Sequence, residues 1–136
     1  MHNEPKVFNI PTIKSDCGNL SIVDSINTLP FDLKRVFYVY ENPAGNKRGN
    51  HAHKTLKEFI WCLKGKIEVF NISISGKKTN FILDKPNKGL YIPEKTWSYQ
   101  ISLSSDSIYC VGCSDYYKEE DYIREYKEFE KLIIYK

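Results

Sequence analysis

The 136-residue chain has one methionine, two tryptophans and three histidines. Its apolar runs fall far short of the ~20 residues that a bilayer-crossing helix needs, so no membrane partner is expected. No run of five or more basic residues occurs and the net charge is only +3. That balance argues against a nucleic-acid partner and suits a small anionic ligand such as a diphosphate. The opening stretch Met1 to Lys6 lacks the apolar centre of a secretory signal, so reduced thiols and a cytoplasmic location are expected. Cysteines are few: Cys17, Cys62, Cys110 and Cys113. The last two form the one C-x-x-C spacing, but no second pair completes a zinc site. Their surroundings, S-I-Y-C-V-G-C-S, read as a buried strand in which free thiols act as small hydrophobes. No repeat, linker or low-complexity tract divides the chain, and a single domain over residues 1–136 is expected. A chain of this length buries about two-thirds of its unfolded surface and needs no metal or disulfide merely to fold.

The chain is instead rich in strand formers, with ten tyrosines and seven phenylalanines. Alternation predicts strands over Val7–Lys14, Leu20–Asp24, Arg35–Glu41, Glu58–Leu63, Lys66–Ile74, Thr79–Leu83, Gly89–Ile92, Trp97–Leu103 and Ser107–Gly112. Turn-forming residues punctuate them, and Leu63 to Ile67 reads as a tight hairpin with Gly65 at the special backbone position. Many short strands at regular spacing indicate an all-β sandwich or barrel. The last twenty residues differ. Tyr122, Tyr126, Phe129 and Ile133 recur at helical spacing between charged residues, which predicts one amphipathic C-terminal helix on the outside of the barrel. Asp121 and Arg124 are expected to pair locally on its solvated face.

The chemistry concentrates in R-G-N-H-A-H-K, Arg48 to Lys54, which holds two of the three histidines. Residues two apart on a strand share a face, so His51 and His53 project the same way, into a barrel or out to solvent. Gly45 lies six residues before His51, Glu58 five after His53, and Gly65 seven after Glu58. This spacing resembles the first motif of the cupin superfamily, G-x5-H-x-H-x4-E-x6-G. The resemblance implies a cupin-type jelly-roll barrel with His51, His53 and Glu58 facing its interior. In many cupins those positions bind a divalent metal with a further histidine. Here the spacing from Pro93 puts Ser98 at the fourth position, and serine is a poor ligand for transition metals.

A narrower resemblance is carried by F-D-L-K-R-V-F-Y-V-Y (Phe31–Tyr40), by R-G-N-H-A-H-K, by G-L-Y-I-P (Gly89–Pro93) with Trp97, and by S-D-Y-Y-K-E-E-D-Y-I-R-E-Y-K-E-F (Ser114–Phe129). These stretches resemble the sugar 3,4-ketoisomerases, the dTDP-4-keto-6-deoxyglucose, WxcM-like branch of small cupins. The resemblance implies an isomerase with no metal and no cofactor, a dTDP-linked keto-deoxysugar as substrate, and a homodimer that exchanges N-terminal strands. Its product would feed 3-amino-3,6-dideoxyhexose synthesis for surface polysaccharide such as lipopolysaccharide.

The implied chemistry suits the residues. Hydrogen beside a ketone is weakly acidic. A base removes it from C3, an enediol forms, and a proton returned to C4 leaves the ketone at C3. Histidine titrates in the right range for this work. His51 is the expected acid/base, His53 its partner and Tyr38 a group orienting or protonating a sugar oxygen. Arg48, Lys54, Glu58, Trp97, Ser98 and Cys17 are the candidate substrate-binding residues. Three positions depart from the family pattern. Glu58 stands where glutamine is frequent, Ser98 where histidine or arginine is frequent, and Cys17 replaces a common arginine with one residue fewer between Asp16 and Gly18. The galacto product is expected over the gluco product, although no physical argument separates them. Two other readings remain open: a metal-dependent cupin, either a dioxygenase or a metal-assisted isomerase, and a non-catalytic sugar-nucleotide-binding module. Several residues also have bland readings: Tyr38 as packing, Trp97 as barrel core and Lys54 as a solvated side chain.

Overall fold

The computed structural model describes residues 4–133 and is built almost entirely of β-strands. In chain order these are β1 (Lys6–Asn9), β2 (Thr12–Ile13), β3 (Leu20–Ser21), β4 (Arg35–Val39), β5 (Lys47–His53), β6 (Glu58–Lys64), β7 (Ile67–Ile72), β8 (Lys78–Leu83), β9 (Lys88–Ile92), β10 (Trp97–Ser102), β11 (Ile108–Cys113) and β12 (Tyr122–Ile123). One short helix follows, α1 (Tyr126–Glu130). Two five-stranded sheets form, in the orders β1-β9-β6-β11-β4 and β12-β5-β10-β7-β8, and β2 pairs with β3 alone. The arrangement is a cupin-type jelly roll.

Alternation along each strand builds the interior. Ile60 and Cys62, Ile67 and Val69, Leu90 and Ile92, and Tyr109, Val111 and Cys113 pack between the sheets. Burying a side chain of this size contributes about 1.5–3 kcal/mol. β6 and β11 read as continuous apolar runs because the outer face of their sheet is covered as well. Phe59, Trp61 and Cys110 pack there against Ile10 and Leu29 from the N-terminal segment. On the opposite sheet, Ala52, Trp97 and Ile123 are covered by Phe129 of α1. Cys62, Cys110 and Cys113 are buried as free thiols, and burial pushes the Cys113 thiol up to about 12.

Gly65 closes the β6–β7 hairpin with φ +76°, and a Cβ there would lie 2.8 Å from the Ser107 Cα. Only glycine accepts both the dihedral and the contact. The strand expected over Val7–Lys14 is broken at Ile10–Pro11. Proline cannot donate to a ladder, so β1 pairs with β9 while β2 turns away to β3.

The C-terminal segment corrects the expected helix. Only Tyr126–Glu130 is α-helical. Tyr122 and Ile123 form an edge strand on β5, with Tyr122 opposite His53. Long-range hydrogen bonds override the helical periodicity. The Asp121 carboxylate accepts from the Thr55 N–H at 2.9 Å, the Thr55 hydroxyl at 2.7 Å and the Leu56 N–H at 3.1 Å. The Lys54 N–H donates to the Asp121 carbonyl at 2.8 Å. Asp121 is therefore engaged away from Arg124, which pairs instead with Glu119 at 2.7 Å. Among the described residues, no helix is long and apolar enough to cross a membrane.

Candidate active site

A cavity of about 280 Å³ lies between the two sheets. Sheet one lines it with Arg35, Phe37 and Val39 of β4, Glu58 and Ile60 of β6, Ile92 of β9, and Tyr109 and Val111 of β11. The facing sheet contributes Arg48, Gly49 and His51 of β5, Gln100 of β10 and Tyr122 of β12.

β5 carries the device that arms the cavity. Arg48 and His51 are three residues apart, so a regular strand would turn them to opposite faces. Gly49 and Asn50 both take positive φ, +87° and +70°, and the register against β10 shifts between Ser98 and Tyr99. The extra residue of this bulge re-aims the strand and lets both side chains face the cavity. The Trp97 indole N–H donates to the Asn50 side-chain oxygen at 3.2 Å and steadies the bulge from behind.

His51 and His53 stand nearly perpendicular, with ring centroids 4.9 Å apart. Tyr122 packs on both, at 4.9 and 4.4 Å. His53 sits deeper, 5% exposed. Its Nδ1 lies 3.5 Å from the Asp121 Oδ2, and its Nε2 lies 3.9 Å from the Glu58 Oε2. Both separations exceed a hydrogen bond, and both ring nitrogens are buried without a partner. Burial lowers the His51 pKa, helped by the Arg124 charge. Burial, reinforced by His51, takes His53 down to about 4. Both imidazoles are therefore neutral near pH 7 and able to accept a proton. Glu58 moves in the opposite sense: burial raises its carboxyl to about 7, against the lowering effect of the Arg35 guanidinium.

Of the residues expected at the site, His51, Arg48 and Glu58 line the cavity, and His53 stands directly behind it. The other five are placed elsewhere in this chain. Tyr38 is 63% exposed on the outer face of β4, beside Tyr40 at 5.9 Å. The inward phase of that strand is Arg35, Phe37 and Val39, so Tyr38 is no cavity phenol. Lys54 donates to the Glu120 carbonyl at 2.9 Å on the surface. Trp97 points to the far side of its sheet and packs on Phe129 at 5.8 Å. Ser98 is buried and donates to the Asn71 side-chain oxygen at 3.0 Å, and it is not among the residues that line the cavity. Cys17 is exposed in the turn between β2 and β3.

Sequence reasoning missed Arg35, Gln100, Tyr109 and Tyr122. Arg35 had one signal, a charge in phase with Phe37 and Val39. Both faces of β4 carry apolar and aromatic residues, so the phase could not be chosen from the pattern. Tyr122 was hidden by its helical spacing.

The donor set does not fit a metal ion. Among the described residues, no three His, Cys, Asp or Glu side chains converge as ligands. Ser98 turns its hydroxyl to Asn71, and the Arg35 cation faces Glu58 from across the wall.

Comparison with known proteins adds three findings. Residues 3–133 match the model of the family described as FdtA: WxcM-like, C-terminal. A TDP-4-oxo-6-deoxy-alpha-D-glucose-3,4-oxoisomerase from Aneurinibacillus thermoaerophilus is 37% identical over 130 residues, covering 96% of this chain and 93% of that protein. Two crystal structures superpose closely. WlaRA, a TDP-fucose-3,4-ketoisomerase from Campylobacter jejuni, is 31% identical with a TM-score of 0.90, and 96% of each chain is covered. A histidine-to-asparagine mutant of the 3,4-ketoisomerase QdtA from Thermoanaerobacterium thermosaccharolyticum, in complex with TDP-4-keto-6-deoxyglucose, is 28% identical with a TM-score of 0.89, covering 98% of this chain and 95% of that one.

Proposed function

The chain belongs to the FdtA (WxcM-like, C-terminal) family and is a TDP-sugar 3,4-ketoisomerase, and on that premise we propose how its own residues carry the reaction. The substrate is TDP-4-keto-6-deoxyglucose. His51 removes the proton from C3, and the enediol that forms is reprotonated at C4 to leave a 3-ketone. The observation that carries this reading is the His51 imidazole on the bulge of β5, facing a cavity walled by two arginines. Burial keeps the ring unprotonated and ready to act as base. Positive charge from Arg35 and Arg48 favours the oxygen anion that develops as the C3 proton leaves. Arg48, nearer the solvent, also suits the diphosphate. Tyr122 and His53 pack the catalytic ring on two sides and hold its plane.

His51→Asn tests the assignment. It should lower kcat by about 10²–10⁴-fold while calorimetry still detects binding of the 4-keto sugar nucleotide. Turnover at the wild-type rate would remove His51 from the mechanism.

The product is the galacto 3-ketone, destined for an amino-deoxyhexose of surface polysaccharide. The proton coupling between C4 and C5 reads the configuration, small for galacto and large for gluco. The working form is a homodimer exchanging N-terminal strands, in the cytoplasm, where free thiols persist. Ile13 and Leu20 of the β2–β3 hairpin are 59% and 56% exposed and offer apolar surface for a second copy.

A further inference from the structure

Two registers compete for β5. With strict alternation through Gly49 and Asn50, Arg48 and His51 fall on opposite faces of the sheet. The cavity then keeps Arg48 and loses the imidazole, because a slip of one residue turns every side chain beyond it to the other face. In the bulged register both residues line the cavity. Gly49, at φ +87°, permits the bulged form without selecting it, since glycine takes positive and negative φ about equally well. Another contact must favour the register that arms the site.

We propose that Asn50 and Trp97 are positioning residues for the reaction, whose hydrogen bond on the outer face of the β5–β10 pair selects the bulged register and so aims His51 into the cavity. This rests on the ketoisomerase reading above and deepens it. Neither residue lines the cavity, so both act through the backbone that carries the imidazole.

Three observations carry the assignment. First, Ser98 faces His51 across the ladder and Tyr99 faces Gly49, so Asn50 is the extra residue, with no partner on β10. Second, Asn50 holds φ +70°, a left-handed conformation uncommon for any residue with a side chain and best tolerated by asparagine and aspartate. In that conformation its side-chain oxygen accepts the Trp97 indole N–H at 3.2 Å. Straightening Asn50 into the extended region swings the carboxamide away and breaks the bond, so the bond belongs to one register alone. Third, the donor is a fixed point of the fold. Trp97 is 5% exposed. Its indole meets Tyr126 edge-on at 5.2 Å and Phe129 at 5.8 Å, and Phe129 is itself fully buried. A fixed donor therefore holds the residue immediately before the catalytic ring.

Asn50→Gly keeps the left-handed dihedral and deletes the acceptor. Its kcat should fall about tenfold with KM within about twofold, because the cavity still takes substrate while fewer molecules hold the base in place. Trp97→Phe deletes the donor, keeps a ring against Phe129, and should divide its effect between kcat and KM in the same way. The double variant should lose no more than the larger single loss, since both changes remove one contact. NMR supplies a readout that needs no turnover. The ring protons of His51 and Tyr122, with centroids 4.9 Å apart, should show a strong nuclear Overhauser effect in the wild type and a weakened one in Asn50→Gly. An Asn50→Gly protein within about twofold of wild-type kcat, or with the wild-type ring contact intact, overturns the proposal. So do losses that add in the double variant, because they assign the two residues separate roles. A wild-type chain that leaves TDP-4-keto-6-deoxyglucose unchanged removes the ketoisomerase reading, and the ring contact in Asn50→Gly still decides whether this bond aims His51.

Discussion

At Glu58 and His53, neighbours across 3.9 Å, burial favours the neutral form of each side chain. The consequences for stability have opposite signs. Glu58 rises from 4.5 to about 7 on folding, so its contribution is complete below about pH 4.5 and is lost as pH rises through about 7. His53 falls from 6.5 to about 4, so its contribution is complete above about pH 6.5 and is lost as pH falls through about 4. Glu58→Gln removes the alkaline loss only. Urea unfolding should show the variant more stable than wild type at pH 8, by up to about 3 kcal/mol, and nearly equal to it at pH 5. Parallel curves for the two proteins would mean that the Glu58 carboxyl is solvated in the folded chain. Period two on one strand made His51 and His53 legible as a pair, while Glu58, on a strand of the facing sheet, was legible through the resemblance to the cupin motif. Arg35 was not legible, since nothing in R-V-F-Y-V says which phase turns inward, and Tyr38 lies in the phase that is exposed in this chain.

Two elements decide the shape of the site. The first is the β5 bulge. Gly49 has φ +87°, and a Cβ there would meet the Ser98 carbonyl oxygen and the Tyr99 Cα at 3.2 Å. Gly49→Ala should cost about 1–2 kcal/mol of stability. It should lower kcat more than it raises KM, because His51 is displaced while the rest of the cavity stands. Thermal unfolding together with steady-state rates checks both effects, and an unchanged kcat would separate the bulge from catalysis. The second element is β12. Its Tyr122 packs on both histidines, yet the chain pattern around it is helical. The bonds that settle its state reach back to Lys54, Thr55 and Leu56, some 65 residues away in sequence. No local pattern encodes a contact at that distance. Tyr122→Ala should loosen both rings and reduce kcat several-fold with little change in the melting temperature, since Tyr122 is only partly buried.

For the molecule as a whole, an all-β sandwich or barrel was legible from strand spacing and the turn residues that separate the strands, and the jelly roll from the cupin resemblance. The covering of both outer faces was not. Phe59, Trp61 and Cys110 are buried by the N-terminal segment, and Ala52 and Trp97 by α1, a packing that the sequence pattern around Trp97 does not encode. Light scattering on the purified chain should return twice the 15.9 kDa monomer mass, and a monomer would leave the exposed β2–β3 hairpin without its partner copy. The account stands or falls on the movement of a ketone from C4 to C3. The direct measurement is NMR of TDP-4-keto-6-deoxyglucose incubated with the wild-type chain in heavy water. The predicted result is a 3-ketone carrying solvent deuterium at C4. A substrate still bearing its ketone at C4, with no label beyond that of an enzyme-free control, would contradict it.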